Sequence, residues 1–81
     1  MIHIRFFASL RERLQSSEID IAFQQQASIK ALVDELVKLD ARFALLKEQD
    51  VLVAVNQTLS APEHIVNDND EVAFFPPVTG G

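Results

Sequence analysis

Between positions 29 and 39 the chain carries its one long amphipathic pattern, and that pattern limits the folds open to it. Ile29, Leu32, Val33 and Leu36, with Leu39 as a further candidate, recur at helical spacing, while Lys30, Asp34, Glu35 and Lys38 fall on the other side. Ser28 stands where an N-cap accepts a backbone N–H from the first turn, so a helix over 29–39 is expected. Asp34 and Lys38 lie four apart in the favourable acid-first order and are expected to pair. Most of the rest reads as strand. Ile2, Ile4 and Phe6 alternate with His3, Arg5 and Phe7, and Ile19, Ile21 and Phe23 alternate over 18–23. The apolar run 51–55 is rich in β-branched residues, Asn56-Gln57 suits a two-residue turn, 58–60 returns as a short partner, and 71–75 forms a last strand. One helix can cover only one face of such a sheet.

The connections fill in the order of elements. Ser9 and Glu12 have the spacing of a capping box, which predicts a short helix over about 10–15. Gln24, Gln25, Gln26 and Ala27 read as a polar connection, Asp40 as the cap of a short turn through 42–46, and Pro62 and 67–70 as loops. The first two strands then form a hairpin, and the helix provides a crossover that brings a later strand beside the first. The expected fold class is α+β: the β-grasp, or ubiquitin-like, arrangement of a mixed four- or five-stranded sheet on one main helix. Its expected core is Ile4, Phe6, Ile21, Phe23, Leu32, Leu36, Val53, Val55, Val72 and Phe74.

Alternation has a consequence for the opposite face. If Phe6 and Phe74 point at the helix, Phe7 and Phe75 point away, together with Leu52, Ala54 and Leu59. Two outcomes are open: an exposed apolar cluster that serves as a partner surface, or a face covered by the short helices and the 40–50 loop.

Composition narrows the chemistry. Seven basic against twelve acidic residues give a net charge of −5, which argues against nucleic acid as a partner. The absence of cysteine excludes a disulfide, a cysteine-based zinc site, a persulfide and a thiol nucleophile. His3 and His64 sit in unrelated contexts and read as solvated or edge residues. No apolar run approaches the roughly 20 residues of a membrane span, and the start lacks the layout of a signal peptide, so a cytoplasmic protein with no membrane partner is expected. The two glycines are both at the end, Gly80 and Gly81, so no glycine-rich phosphate loop is available. Pro76 and Pro77 stop the last strand, and Val78 and Thr79 lead to the glycine pair. The expected division is a domain over 1–75 and an extended tail over 76–81. Such a tail is either a frayed end or a stiff arm whose side-chain-free tip enters a narrow channel and presents its carboxylate there.

Three stretches carry a resemblance to a known family: Phe6-Phe7-Ala8 with Arg11-Glu12, Val53-Ala54-Val55-Asn56, and the run from Asp70 through Phe74-Phe75-Pro76-Pro77-Val78-Thr79 to Gly80-Gly81. Over nearly its full length the chain resembles the small, sulfur-carrier subunits of molybdopterin synthases (the MoaD type), within the ubiquitin-like sulfur carriers. A Gly-Gly end alone would also fit a ubiquitin-like protein modifier or the thiazole-pathway carrier. One departure is visible: the family usually has Asp-Gly-Asp before the last strand, and here Asp68-Asn69-Asp70 stands there.

The resemblance implies a reactive end at Gly81, assisted by Gly80. An E1-like adenylating enzyme would use ATP to convert the carboxylate to an acyl-adenylate, and sulfur from a donor would displace AMP to leave a thiocarboxylate. The tail would then enter the large synthase subunit and deliver sulfur to cyclic pyranopterin monophosphate, two deliveries making the dithiolene. Phe7, Arg11, Leu59, Phe75, Pro76, Pro77, Val78 and Thr79 are the implied partner contacts, with Arg11 either pairing with an acid of the activating enzyme or remaining a solvated helix arginine. The chain itself is expected to hold no cofactor and no metal, and to act in a heterotetramer without being catalytic alone. The alternatives are a modifier that joins Gly81 to lysines, a carrier for thiazole or thiolated tRNA synthesis, and a binding module with a passive tail.

Overall fold

The structure, a computed structural model, describes residues 1–22, 25–48 and 51–76. Strand β1 (Ile2–Phe6) leads into helix α1 (Ala8–Leu14) and returns as β2 (Glu18–Ile21). The two-residue strand β3 (Ala27–Ser28) precedes helix α2 (Ile29–Leu39), and a 3₁₀ helix (Ala41–Lys47) follows. Strands β4 (Leu52–Val55), β5 (Thr58–Leu59), β6 (Ile65–Val66) and β7 (Glu71–Phe75) complete the order. The five-stranded sheet runs β2-β1-β7-β4-β5, and β3 and β6 form a separate pair. β1 and β7 are parallel neighbours, with Ile4 opposite Val72 and Phe6 opposite Phe74. Every other pairing is antiparallel. A hairpin followed by a helical crossover that sets the last strand beside the first is the β-grasp architecture expected from the order of elements.

The helix stripe meets the sheet as its spacing dictates. Ile29, Leu32, Val33 and Leu36 are buried, and Ser28 Oγ accepts the Ala31 N–H at 3.1 Å. The first two donors of α2 are taken by a loop: Ile29 N–H bonds His64 O and Lys30 N–H bonds Pro62 O, both at 3.0 Å. Phe6, Phe74, Ile4, Leu10, Leu14, Leu36 and Val72 are the largest fully buried side chains. Removing each from water contributes about 1.5–3 kcal/mol. Within this core Phe6 stacks on Phe74 at 6.0 Å and on Phe43 at 5.7 Å. The 3₁₀ helix therefore packs on the helix side of the sheet. Asp40 caps it as expected, accepting the Arg42 N–H at 3.0 Å, and Arg42 Nη1 donates to Leu14 O at 2.9 Å, tying it to the end of α1.

Several expectations need correction. α1 starts at Ala8, two residues early, and Ser9 lies inside it; the cap is Phe7, whose backbone is extended and whose side chain makes no cap bond, so no Ser9–Glu12 capping box forms. Leu39 is 68% exposed. At about 100° per residue it has drifted roughly 70° from the centre of the stripe. Asp34 pairs with Lys47 at 2.8 Å and Lys38 with Glu35 at 3.3 Å, because the 3₁₀ helix brings a better-placed ammonium to Asp34 than its own helix does. Ile21 is only half buried, at the end of an edge strand. Phe23, expected in the core, lies outside the described residues. β3 occupies part of the expected polar connection, and β6 interrupts the expected 62–70 loop. Among the described residues no helix is long and apolar enough to cross a membrane.

Candidate functional site

The root of the tail is built from the centre of the sheet. β7 is bonded on both sides, to β1 and to β4, and ends at Phe75. Pro76, half buried, follows directly. The Phe7 N–H donates to Phe74 O at 3.1 Å, so the corner between β1 and α1 is fastened to the last residues of β7. On the outward face the Phe7 and Phe75 rings stack, with centroids 4.9 Å apart and planes within 9°.

The register extends this stack into a patch. Leu52 lies opposite Phe75, and Ala54 lies opposite both Ala73 and Leu59. Phe7 is 37% exposed, Leu52 38% and Leu59 70%, while Ala54 and Ala73 are small enough to be covered by their neighbours. Among the described residues the larger apolar side chains of this face stay at least partly exposed. Phe43 of the 3₁₀ helix stacks on Phe6, on the far side of the sheet from Phe7. The same outward face turns polar toward β2. There His3 bonds Asp20 at 2.8 Å, and Arg5 stands 3.5 Å from Glu71 and 3.9 Å from Glu18. The site is therefore an apolar half beside the tail root and a charge-paired half beyond it.

Three carboxyls are held below the ordinary aspartate value of 3.8, all of them in exposed ion pairs or caps. Asp34 is lowered chiefly by its hydrogen bond from Lys47, Asp40 by the Arg42 backbone N–H, and Asp68 by its hydrogen bond from the Met1 amino group. None of them touches the apolar patch. His64 is exposed, and among the described residues no group of three or more His, Cys, Asp or Glu is placed to hold a metal. The described residues present a surface and a strand end, and the His3–Asp20 pair lies on the β2 side of that face, away from Phe7 and Phe75.

Of the residues expected at the site, Phe7, Leu59 and Phe75 share the outward face with Pro76 at its edge. Arg11 is exposed on α1 and enters no ion pair among the described residues. Pro77, Val78, Thr79, Gly80 and Gly81 lie outside the described residues. Leu52, placed on this face by alternation, is exposed there beside Phe75, as Leu59 is one strand further on. Ala8, with a left-handed φ of 53°, gave no signal in the sequence.

A β-grasp sheet that ends its central strand beside a partly exposed aromatic pair and leads into a Pro-Pro…Gly-Gly segment defines a ubiquitin-like carrier domain. The chain belongs to the ThiS family, whose model matches residues 4–81. It is 43% identical to the molybdopterin synthase sulfur carrier subunit of Escherichia coli over 82 aligned positions, which cover 100% of both chains. The solved structure of a candidate molybdopterin converting factor subunit 1 from Pyrococcus furiosus superposes with a TM-score of 0.75 at 28% identity, covering 95% of this chain and 97% of that one. A complex of subunits 1 and 2 of the molybdopterin-converting factor from Helicobacter pylori shares the fold, with a TM-score of 0.63 at 23% identity over 99% and 97% of the two chains.

Proposed function

We propose that this chain is the sulfur-carrier subunit of a molybdopterin synthase and serves molybdenum cofactor biosynthesis. The observation that carries the reading is the 43% identity to a sulfur carrier subunit over the full length of both chains. The chemistry follows from what the chain has and lacks. A carboxylate is a poor electrophile until it bears a good leaving group, so an E1-like enzyme spends ATP to form the acyl-adenylate of Gly81 and releases pyrophosphate. A sulfur donor then forms the carbon–sulfur bond and expels AMP. The resulting thiocarboxylate is a soft nucleophile that this cysteine-free chain otherwise has no means to provide. It delivers sulfur to cyclic pyranopterin monophosphate in the active site of the large subunit, which supplies the acid–base groups.

The partner surface of this proposal is the apolar half of the outward face, Phe7, Leu52, Leu59 and Phe75, with Pro76 to Thr79 continuing into the large subunit and Gly80 letting the active site close on Gly81. A small subunit seated against a large one in the Helicobacter pylori complex, on the same fold, supports a pairing of this kind. Arg11, exposed near the same corner, is available to an acidic residue of the activating enzyme.

The test is intact mass after incubation with the activating enzyme, ATP and a sulfide source. A gain of one oxygen-to-sulfur exchange at Gly81 is the expected result. Conjugates to lysine would instead make the chain a protein modifier, and no change with a competent enzyme would sink both. Deletion of Gly81 is expected to abolish loading and leave folding intact.

A further inference from the structure

We propose that Ala8 is a positioning residue, whose left-handed backbone holds the Phe7 ring against Phe75 and so pre-orders the apolar face at the tail root; this rests on reading that face as the docking surface. Five non-glycine residues among those described have positive φ: Ala8, Gln15, Asn56, Gln57 and Asn69. Four have an ordinary local reason. Gln15 is the C-cap of α1, Asn56 and Gln57 form the β4–β5 turn, and Asn69 sits in the turn before β7. Ala8 has none of these. It follows an extended residue and opens a helix, a place where negative φ is usual.

Its neighbours show what the turn accomplishes. Phe7 is fixed on both sides, its N–H donating to Phe74 O at 3.1 Å and its carbonyl accepting from Leu10 N–H at 3.2 Å. Phe6 and Leu10 are buried, at 2% and 1% exposure, while Phe7 between them faces outward. The chain must therefore send two core residues inward and one ring outward across a single corner, and Ala8 is where that corner bends. With φ at 53° there, the Phe7 ring lies within 9° of parallel to Phe75 at 4.9 Å. The left-handed region disfavours every L-residue and is nearly closed to β-branched ones. A face ordered before the partner arrives loses less freedom on binding.

The experiment compares Ala8→Val, Ala8→Gly and Phe75→Ala in the full-length chain. It reads affinity for a molybdopterin synthase large subunit by calorimetry, and Phe7–Phe75 ring contacts by nuclear Overhauser effects. Glycine accepts the positive φ and is expected to bind within about threefold of the parent, whereas valine is expected to weaken binding roughly tenfold and to lose the ring contacts, the size set by the left-handed penalty. Valine behaving like the parent, or valine and glycine weakening binding alike, would overturn the role given to Ala8. Should the valine variant not fold, the HN–Hα coupling and carbon shifts of Ala8 in the parent decide: a negative φ in solution overturns the proposal and a positive one supports it. If Phe75→Ala binds as the parent does, the docking reading itself has failed; if it weakens binding while Ala8→Val does not, only the inference about Ala8 has.

Discussion

Truncating Phe75 to alanine separates folding from docking, because the ring contributes to each by a different amount. In the isolated domain it is half buried and stacks on Phe7 at 4.9 Å. The stack contributes about 0.5–1.5 kcal/mol beyond burial, and half of a phenylalanine burial about 1 kcal/mol more. Phe75→Ala should therefore lower stability by about 2 kcal/mol, a fall in Tm of about 8–16 °C for a domain of this size. If this face docks as proposed, the same ring, set between Leu52 and Phe7, would become fully desolvated, the setting in which an aromatic loses at least about 2 kcal/mol of binding on truncation, or roughly 30-fold in Kd. Calorimetric titration against the large subunit, below the melting range of both variants, measures this directly. Leu39→Ala is the control: Leu39 is 68% exposed but on α2, so its removal should leave Kd within about twofold. A Phe75→Ala chain that is folded and binds as tightly as the parent would refute the argument that the outward face is the docking surface. A double-mutant cycle with Phe7→Ala should return a coupling of about 0.5–1.5 kcal/mol in stability, the share due to the stack alone.

Other expectations follow from single features. Ser28→Ala removes the side-chain cap of α2 and should cost about 1 kcal/mol in a denaturant titration, with no effect on sulfur loading. Asn69 has φ of 71°, so Asn69→Ala should destabilise by about 1 kcal/mol while Asn69→Gly stays near neutral; equal effects would mean the turn is not left-handed in solution. Asp34, Asp40 and Asp68 have folded pKa values below the ordinary 3.8, so the stability they contribute is present above that value and is lost as pH falls through it toward the folded values. Tm should therefore drop as pH is lowered below about 4, and Asp34→Asn should make the drop shallower.

The features legible in the sequence were those carried by repetition or by a residue with few conformational options. The α2 stripe repeats over three turns, which is enough to fix the helix over 29–39 and its four buried positions, though not the exposure of Leu39 at its end. β1 alternates over five residues, β7 is a five-residue apolar run after a turn, and Asn56 and Gln57 both take the positive φ that a two-residue turn demands. β3 and β6 are two residues long, too short for any period to register, and they exist because the 62–64 loop closes over the start of α2. The partner of Asp34 depended on where the 3₁₀ helix would dock, a tertiary matter that helical spacing cannot report. The site divides in the same way. Its outward face followed from alternation, but whether that face stayed open depended on Phe43 packing against Phe6 on the other side. The bend at Ala8 was invisible because alanine carries no signal for a left-handed backbone.

The position of β7 also has a mechanical consequence. Because β7 is bonded along its length to parallel β1 on one side and antiparallel β4 on the other, a pull on Pro76 along the strand axis loads both ladders together. Ladder hydrogen bonds lie mainly across the strands, so such a load shears them as a group instead of peeling them one at a time. A tug on the two-residue edge strand β5 would meet far less resistance. A load applied at the end of the domain therefore falls on its most extensively bonded seam.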